Sequence, residues 1–265
     1  MDLSVVIPVK DEADNIAPLV FEICGALDGR VLYEIVYVDD GSADATAAEI
    51  RRVGAAVPQL RLLRHLRSCG QSAAIRSGVK AARGTWIATL DGDGQNDPAD
   101  IPALLQTARA ATLGPPLLVA GHRTNRRDSW SKRQASRLAN RVRRQVLRDD
   151  TPDTGCGLKL FPRALFLDLP YFDHMHRFLP ALVLREGGMV RSVAVNHRPR
   201  RRGVSKYGVF DRLGVGIADL LGVLWLCRRR RRPELMPAAA AERSDQDTAA
   251  PAPCRPLASH AAPVA

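Results

Sequence analysis

Apolar residues recur along the first 120 residues with two different periods. Short runs rich in Val, Ile, Leu and Tyr predict strands at 3–9, 33–38, 60–66, 86–90 and 117–120. The segments between these strands repeat their apolar positions every three to four residues, as at Ile16, Leu19 and Ile23, and predict helices. Strand and helix therefore alternate, which is typical of an α/β fold whose mostly parallel sheet is flanked by helices.

The fourth predicted strand ends in a loop of acids and glycines, Asp91-Gly92-Asp93-Gly94-Gln95. Ligands of open α/β sheets bind at the carboxyl ends of the strands. Asp91, Asp93 and Gln95 alternate along the loop, so an extended chain would point their side chains to one side. Because Mg²⁺ and Mn²⁺ prefer oxygen ligands, the loop is a candidate metal site, although a plain Asp-Gly turn has the same pattern.

A calcium loop would place its first ligands at the same three positions. Such a loop requires Gly at its sixth position and Glu at its twelfth. Those positions are occupied by Asn96 and Pro102, which excludes a calcium loop of this type.

Acidic residues also follow the first and second predicted strands, at Glu12, Asp39 and Asp40. Carboxylates at such places can accept hydrogen bonds from ribose hydroxyls or a base N–H. Neither a dinucleotide fingerprint nor a P-loop occurs in the sequence, so those two nucleotide sites are not supported. The neighbouring acids are interpreted as helix caps or turn residues: Asp11, Asp14 and Asp44.

Four segments at these places have a recognisable order and spacing: IPVKDE at 7–12, VDDGSAD at 38–44, CGQ at 69–71 and DGDGQ at 91–95. They resemble the family 2 glycosyltransferases with the GT-A fold, and most of all the dolichyl- and polyprenyl-phosphate mannosyltransferases and related sugar transferases. The resemblance extends from residue 3 to about 230. Lys10-Asp11 stands where the family usually has Tyr-Asn.

The resemblance implies a donor site for a sugar nucleotide. Pro8, Val9 and Glu12 would border the base and ribose. Asp40 and Gln71 would help to hold the same groups.

The resemblance also implies a catalytic centre. Asp91, Asp93 and Gln95 would bind Mg²⁺ or Mn²⁺ and the sugar-nucleotide diphosphate. From 123 to 148 the chain has ten Lys or Arg and one acid, mostly interpreted as a solvated basic face. Arg123 and Arg133 match two family arginines, and arginine forks suit phosphate oxygens.

Two further segments are implied to serve the acceptor. The glycine-rich loop 149–159 resembles an Asp-x-x-Ser-Gly-x-Arg motif in which Cys156 and Lys159 are variants, and Asp153 would lie near the acceptor. Residues 200–207 resemble an R-x-x-G-x-S-K-Y lid over the diphosphate. The phosphate-binding members of this lid would be Arg200, Ser205 and Lys206.

Two apparent motifs are not interpreted as catalytic or metal sites. Cys156 has no His near it in sequence, so packing is favoured over a nucleophilic role. The pair His174 and His176, with Asp173, is too small a set to indicate a metal site.

The net charge and the cysteines indicate which partners and which cellular compartment suit the chain. The formal charge of +11 suits nucleic acid, an anionic membrane or phosphorylated substrates. Five cysteines without framework spacing predict free thiols in a reducing compartment, and the N-terminal sequence predicts no signal peptide.

The segment 208–265 predicts a membrane-associating helix and a tail. The run 209–227 is apolar but interrupted by charges, and five arginines follow at 228–232. We expect a GT-A domain at 1–207, an interfacial amphipathic helix with a polybasic end at 208–232 and a disordered tail at 233–265. A core helix at 209–227 is the alternative.

The expected activity is inverting transfer of a hexose, with mannose from GDP-mannose as the first expectation, to a dolichyl or polyprenyl phosphate at the cytoplasmic membrane face. A membrane-protein partner is a further expectation. One alternative is a family 2 enzyme that uses a UDP-sugar or a glycan hydroxyl, with Asp153 as base. A non-enzymatic nucleic-acid-binding protein is a remote alternative, because the basic residues lack an aromatic stacking platform.

Overall fold

The structure is a computed structural model that describes residues 1–111, 114–124, 143–199 and 211–230, without the side chains of 211–213. All of these residues belong to one unit, Met1–Arg230. Its strands are β1 (Leu3–Val9), β2 (Tyr33–Asp39), β3 (Leu60–Arg64), β4 (Trp86–Thr89), β5 (Leu117–Arg123), β6 (Lys159–Pro162) and β7 (Met189–Val195). Its α-helices are α1 (Ala13–Leu27), α2 (Thr46–Gly54), α3 (Gln71–Ala81), α4 (Ile101–Arg109), α5 (Arg163–Asp168), α6 (Leu179–Arg185) and α7 (Asp211–Arg228).

The seven strands form one sheet in the order β3-β2-β1-β4-β6-β5-β7. β1 is parallel to β2 and β4, β2 is parallel to β3, and β5 is parallel to β7. Only β6 among these strands is antiparallel to its neighbours, β4 and β5. The predicted mostly parallel α/β sheet is therefore confirmed.

Helices cover both faces of the sheet and bury two apolar layers. One layer joins α1, α2 and α4 to alternate strand residues such as Val5 and Ile35. The other joins α3, α5, α6 and α7 to the intervening residues, such as Val6 and Val36. This alternation is the period-two pattern expected of strands buried on both faces.

The antiparallel strand β6 is the main feature that the sequence pattern did not predict. It has four residues, starts with Lys159 and ends with Pro162, so neither its length nor its composition indicates a strand. Because it runs against β4 and β5, its first residue lies at the edge where those strands end. Lys159 is thereby paired with Thr89 of β4 and Ala120 of β5.

Some predicted boundaries were too generous. The third strand ends at Arg64 and β4 at Thr89, whereas the sequence pattern extended them to 66 and 90. The short helices α5 and α6 were not predicted at all.

Helix α7 packs one side against the domain. Val223 is buried and Leu220, Leu224 and Cys227 contact the second apolar layer. Arg185 Nε also donates to the carbonyl of Leu226 at 3.1 Å. Among the residues described, no helix combines the length and the apolar character that crossing a bilayer requires.

Tyr37→Phe is expected to raise the free energy of unfolding by about 1 kcal/mol. The Tyr37 hydroxyl on β2 is fully buried and has no hydrogen-bond partner in the described part of the chain, so its removal ends an uncompensated desolvation cost. Urea denaturation would measure the change. Tyr33→Phe is the matched control and should destabilise, because the Tyr33 hydroxyl donates to Asp28 Oδ1 at 2.6 Å.

Candidate active site

The carboxyl ends of β1, β2, β4 and β5 meet at one edge of the sheet, and the antiparallel β6 begins there. Asp91 follows β4, Arg123 ends β5 and Lys159 starts β6. Burial raises the pKa of Asp91, and the charge of Asp93 raises it further. The charges of Lys159 and Arg123 act against this and lower it. Two acids and two cations therefore converge beyond the sheet edge.

Gln71, the first residue of α3, reaches this cluster. Its Nε2 donates to Asp91 Oδ1 at 2.9 Å. Gln71 and Asp91 are thus in direct contact, although they are 20 positions apart in sequence and are predicted to serve the base or ribose and the cation respectively. Asp93 Oδ1 accepts from the backbone N–H of Gln95 at 3.0 Å, which closes a local turn in the loop.

The loop that follows Asp91 is fixed by Asn96 and Arg198. The buried side chain of Asn96 accepts from the Asp91 N–H at 3.1 Å, and its backbone forms a bridge with His197. Arg198 donates its backbone N–H to Gln95 O and its Nη2 to Asn96 O, both at 2.9 Å. The segment after β7 therefore holds the loop 91–96 in place.

Arg123 is held by a bidentate ion pair with Asp153. Its Nε lies 2.7 Å from Asp153 Oδ2 and its Nη2 lies 2.8 Å from Oδ1, with both side chains largely buried. Burial alone would lower the pKa of Arg123, but the hydrogen bonds and charge of Asp153 raise it. This pairing argues against Asp153 as a free general base.

Lys159 is a buried ammonium beside the loop that starts at Asp91. Its Nζ donates to the carbonyl of Thr154 at 3.2 Å and to that of Cys156. Burial lowers its pKa, while the charge of Asp91 is among the interactions that raise it. Lys159 therefore fixes the loop before β6 and places positive charge near Asp91.

The donor set of the Asp91 loop fits a divalent cation. Asp91 and Asp93 bring two carboxylates together, and burial, followed by the charge of Asp93, raises the pKa of Asp91. Gln95 donates its Nε2 weakly to the carbonyl of Arg198 at 3.5 Å, which leaves its amide oxygen as an acceptor. Hard oxygen ligands of this kind are those that Mg²⁺ and Mn²⁺ bind.

Both carboxylate oxygens of Asp40 accept hydrogen bonds from the loop 65–70. Its Oδ1 accepts from His65 Nδ1 at 2.7 Å and Cys69 N at 2.8 Å, and its Oδ2 accepts from Ser68 Oγ and Gly70 N at 2.8 Å. Burial would raise the pKa of Asp40, but these hydrogen bonds hold it below its usual value. Asp40 therefore builds the loop that leads into Gln71, and its contact with a base stays a prediction.

Ligand atoms of Asp40, His65 and Cys69 lie within 4.8 Å of one another and could in principle hold a metal. His65, however, already bonds Asp40 through Nδ1 and Ser77 through Nε2. The oxygens of Asp40 are also engaged, and the cation site at Asp91, Asp93 and Gln95 stays the prediction.

The predicted base-side residues lie together at the end of β1. Pro8 and Val9 pair with Val38 and Asp39 of β2. Glu12 precedes α1, and its Oε2 accepts from Asn15 Nδ2 at 2.6 Å.

The acids interpreted as cap or turn residues tie these loops together. Asp11 Oδ1 accepts from Ala43 N at 2.8 Å, and Asp44 Oδ1 accepts from Thr46 N at 2.9 Å. The structure thus places Asp11 and Asp44 in loop contacts.

The two histidines after residue 172 have separate partners. His176 Nδ1 lies 2.7 Å from Ser72 Oγ, next to Gln71, and burial and the charge of Lys159 lower its pKa to about 3. His174 Nδ1 lies 3.1 Å from Asp219 of α7. The Nδ1 atoms of the two rings therefore have different partners, Ser72 and Asp219. Cys156 is fully buried, in agreement with a packing role.

Four predicted site residues lie outside the described residues: Arg133, Arg200, Ser205 and Lys206. Conversely, sequence reasoning gave no role to Asn96, Gly157 or Arg198. Asn96 and Gly157 stand within or beside recognised motifs, which is the only signal that could have singled them out.

Comparison with solved structures supports the fold. Glucosyl-3-phosphoglycerate synthase from Mycobacterium tuberculosis, in complex with phosphoglyceric acid, aligns with a TM-score of 0.61 and 20% identity over 88% of this chain and 81% of that chain. The same enzyme in complex with Mg²⁺ and uridine diphosphate aligns with a TM-score of 0.62 and 18% identity over 88% of this chain and 80% of that chain.

Comparison with curated sequences gives nearer relatives. The chain is 37% identical over 238 residues to dodecaprenyl-phosphate galacturonate synthase of Rhizobium johnstonii, which covers 88% of this chain and 69% of the relative. It is 36% identical over 210 residues to undecaprenyl-phosphate 4-deoxy-4-formamido-L-arabinose transferase of Edwardsiella ictaluri, covering 78% and 63%. The chain thus spans 63 to 69% of the length of these two relatives.

The family comparison covers more than half of the chain. The family described as "Glycosyl transferase family 2" matches residues 4–169, a range that contains the four motifs, Arg123, Asp153 and Lys159. This match and the named transferases argue against the alternative of a non-enzymatic nucleic-acid-binding protein. The chain belongs to glycosyl transferase family 2.

Proposed function

We propose that this protein transfers a sugar from a nucleotide diphosphate donor to a polyprenyl phosphate at a membrane surface, with inversion at the sugar carbon. The observation that carries the proposal is the cluster at the sheet edge. Asp91 stands there within reach of the charges of Asp93, Lys159 and Arg123. The names of the two relatives support the polyprenyl phosphate acceptor.

The chemistry explains why cations are needed more than a base. A phosphate monoester is largely dianionic at pH 7, since its second pKa is about 6. One of its oxygens attacks the anomeric carbon, the bond from that carbon to the donor diphosphate breaks, and the nucleoside diphosphate leaves with the electron pair. No proton has to be removed from the nucleophile, but two anionic groups have to be brought together.

The described residues meet this need in two ways. Arg123, held by Asp153, presents a fixed guanidinium, and Lys159 supplies a second positive charge. Asp91, Asp93 and Gln95 would hold Mg²⁺ or Mn²⁺, which when bound neutralises charge on the departing diphosphate. Arg133, Arg200, Ser205 and Lys206 remain predicted phosphate ligands.

The sugar is not fixed by the site. Mannose from GDP-mannose was the expectation from the sequence, whereas the two relatives are named for galacturonate and 4-deoxy-4-formamido-L-arabinose. The loop 91–95 would bind the diphosphate through the cation, and all such donors share a diphosphate. We therefore propose a sugar nucleotide with a diphosphate as the donor, and GDP-mannose is one of the donors to be tested.

The experiment is transfer of radiolabelled sugar into extractable lipid. Vesicles with undecaprenyl phosphate, Mn²⁺ or Mg²⁺, and a panel of GDP-mannose, UDP-glucose, UDP-N-acetylglucosamine and UDP-galacturonate would be used. Label in the lipid phase with one donor, lost with EDTA, supports the proposal and identifies the sugar. Donor binding or slow hydrolysis without lipid label would move the acceptor to a glycan hydroxyl.

Helix α7 supports a membrane surface as the place of the reaction. The side opposite the domain exposes Val215, Ile217, Leu221 and Trp225, with Leu221 59% exposed and Trp225 56% exposed. Arginines 228–230 follow this apolar stripe. An apolar helix face next to basic residues favours binding at an anionic bilayer surface. The cytoplasmic face and a membrane-protein partner remain predictions.

Leu221→Glu is expected to lower binding to anionic vesicles at least tenfold, because it puts a charge into the apolar stripe and adds repulsion from acidic lipids. Co-sedimentation with vesicles containing phosphatidylglycerol would measure it. Leu32→Glu is the matched control, because Leu32 is exposed just before β2 and far in sequence from α7. Equal binding by the two variants would contradict a membrane role for α7.

A further inference from the structure

Gly157 leaves room for the carboxylate of Asp91. A Cβ built on Gly157 would lie 2.6 Å from Asp91 Oδ1 and closer still to Oδ2 and Cγ. Since Cβ atoms essentially never approach other heavy atoms to under 3.0 Å, any other residue at 157 has to displace this carboxylate.

The backbone of Gly157 does not itself demand glycine. Within the described residues, the glycines with positive φ are Gly29, Gly41, Gly70, Gly94 and Gly187. Gly157 is outside this group, so Ala can adopt its conformation without backbone strain. The requirement at position 157 is therefore one of space at Asp91.

Two hydrogen bonds hold Asp91 in place, one at its carboxylate and one at its backbone N–H. Gln71 Nε2 donates to its Oδ1 at 2.9 Å, and Asn96 holds its backbone N–H at 3.1 Å. Gly157 is fixed in turn, because its carbonyl accepts from Thr89 Oγ1 at 2.7 Å. A methyl group at 157 would break the Gln71 contact or turn the carboxylate away from Asp93.

We infer that Gly157 is a positioning residue for the metal ligand Asp91, and that its missing side chain sets where the carboxylate stands. The inference rests on the proposed function, because the place of Asp91 matters only if it binds the cation on the donor diphosphate. Gly157 touches neither donor nor acceptor in this scheme and acts through Asp91 alone.

The test compares Mn²⁺ binding by the full chain and by Gly157→Ala in the presence of UDP or GDP, through loss of the free Mn²⁺ signal in electron paramagnetic resonance. The dissociation constant is expected to rise about 10- to 100-fold, the effect typical of losing support for a metal ligand. Gly25→Ala is the matched control and should bind normally, because a Cβ at Gly25 meets nothing within 4 Å.

A double variant isolates the route through Asp91. In an Asp91→Ala background, Gly157→Ala should cause no further loss of Mn²⁺ binding. If Gly157→Ala alone does not fold by circular dichroism, the double variant should fold, since Ala at 91 leaves the space free. Unchanged binding in Gly157→Ala, a further loss in the Asp91→Ala background, or an unfolded double variant would each overturn the inference. Absence of Mn²⁺–nucleotide binding by the parent chain would instead overturn the proposed function, and the inference with it.

Discussion

Asp93→Asn is expected to lower sugar transfer into lipid about a thousandfold, because loss of a charged ligand to the cation removes several kcal/mol of stabilisation from the departing diphosphate. The fold should be retained. Asn keeps an oxygen that can accept from the backbone N–H of Gln95, as Asp93 Oδ1 does at 3.0 Å. The measurement is radiolabel in extracted lipid, with unfolding monitored separately; Asp93→Ala should lose as much transfer.

Asp97→Asn provides the control within the same loop. Asp97 Oδ1 accepts from the backbone N–H of Ala99 at 3.0 Å, so the substitution changes the same charge in a similar local turn. Because no metal role is proposed for Asp97, transfer should stay within about threefold of the parent chain. Near-normal transfer by folded, metal-treated Asp93→Asn, or equal losses in both variants, would remove the metal role of Asp93.

The sequence pattern was sufficient for most of the sheet. The bounds predicted for β1, 3–9, agree with the structure, because an apolar run rich in β-branched residues determines where this strand lies. The pattern was insufficient for β6, whose four residues include Lys159 and Pro162. That strand is stabilised by pairing with β4 and β5, which are more than 35 residues away, and local propensity does not report such pairing.

The candidate site, like the sheet, could be predicted from the sequence only in part. Motif positions were enough to expect Gln71 and Asp91 at one sheet edge, since parallel strands end there together. Motif positions did not show that the oxygens of Asp40 are occupied by the loop 65–70, because side-chain partners depend on the path of a distant loop. The buried position of Lys159 could not be predicted for the same reason, because it depends on the antiparallel direction of β6.

Asp153→Asn and Arg123→Met should each lower the free energy of unfolding by about 3 kcal/mol, because either change leaves one charge of a buried pair without its partner. The two contacts of 2.7 and 2.8 Å are bidentate, which makes the coupling between the residues strong. The double variant should therefore lose about 2 kcal/mol less than the sum of the single losses. Chemical denaturation of the four proteins would measure this cycle.

Transfer measured on the same four proteins separates two roles for Asp153. If Asp153 positions Arg123 for the acceptor or donor phosphate, the double variant should be no less active than Arg123→Met, since the positioned group is already gone. If Asp153 is instead the base that deprotonates a hydroxyl acceptor, its removal should lower transfer further in the Arg123→Met background. The bidentate pair favours the first outcome, because a base that abstracts a proton needs an oxygen not already committed to a guanidinium.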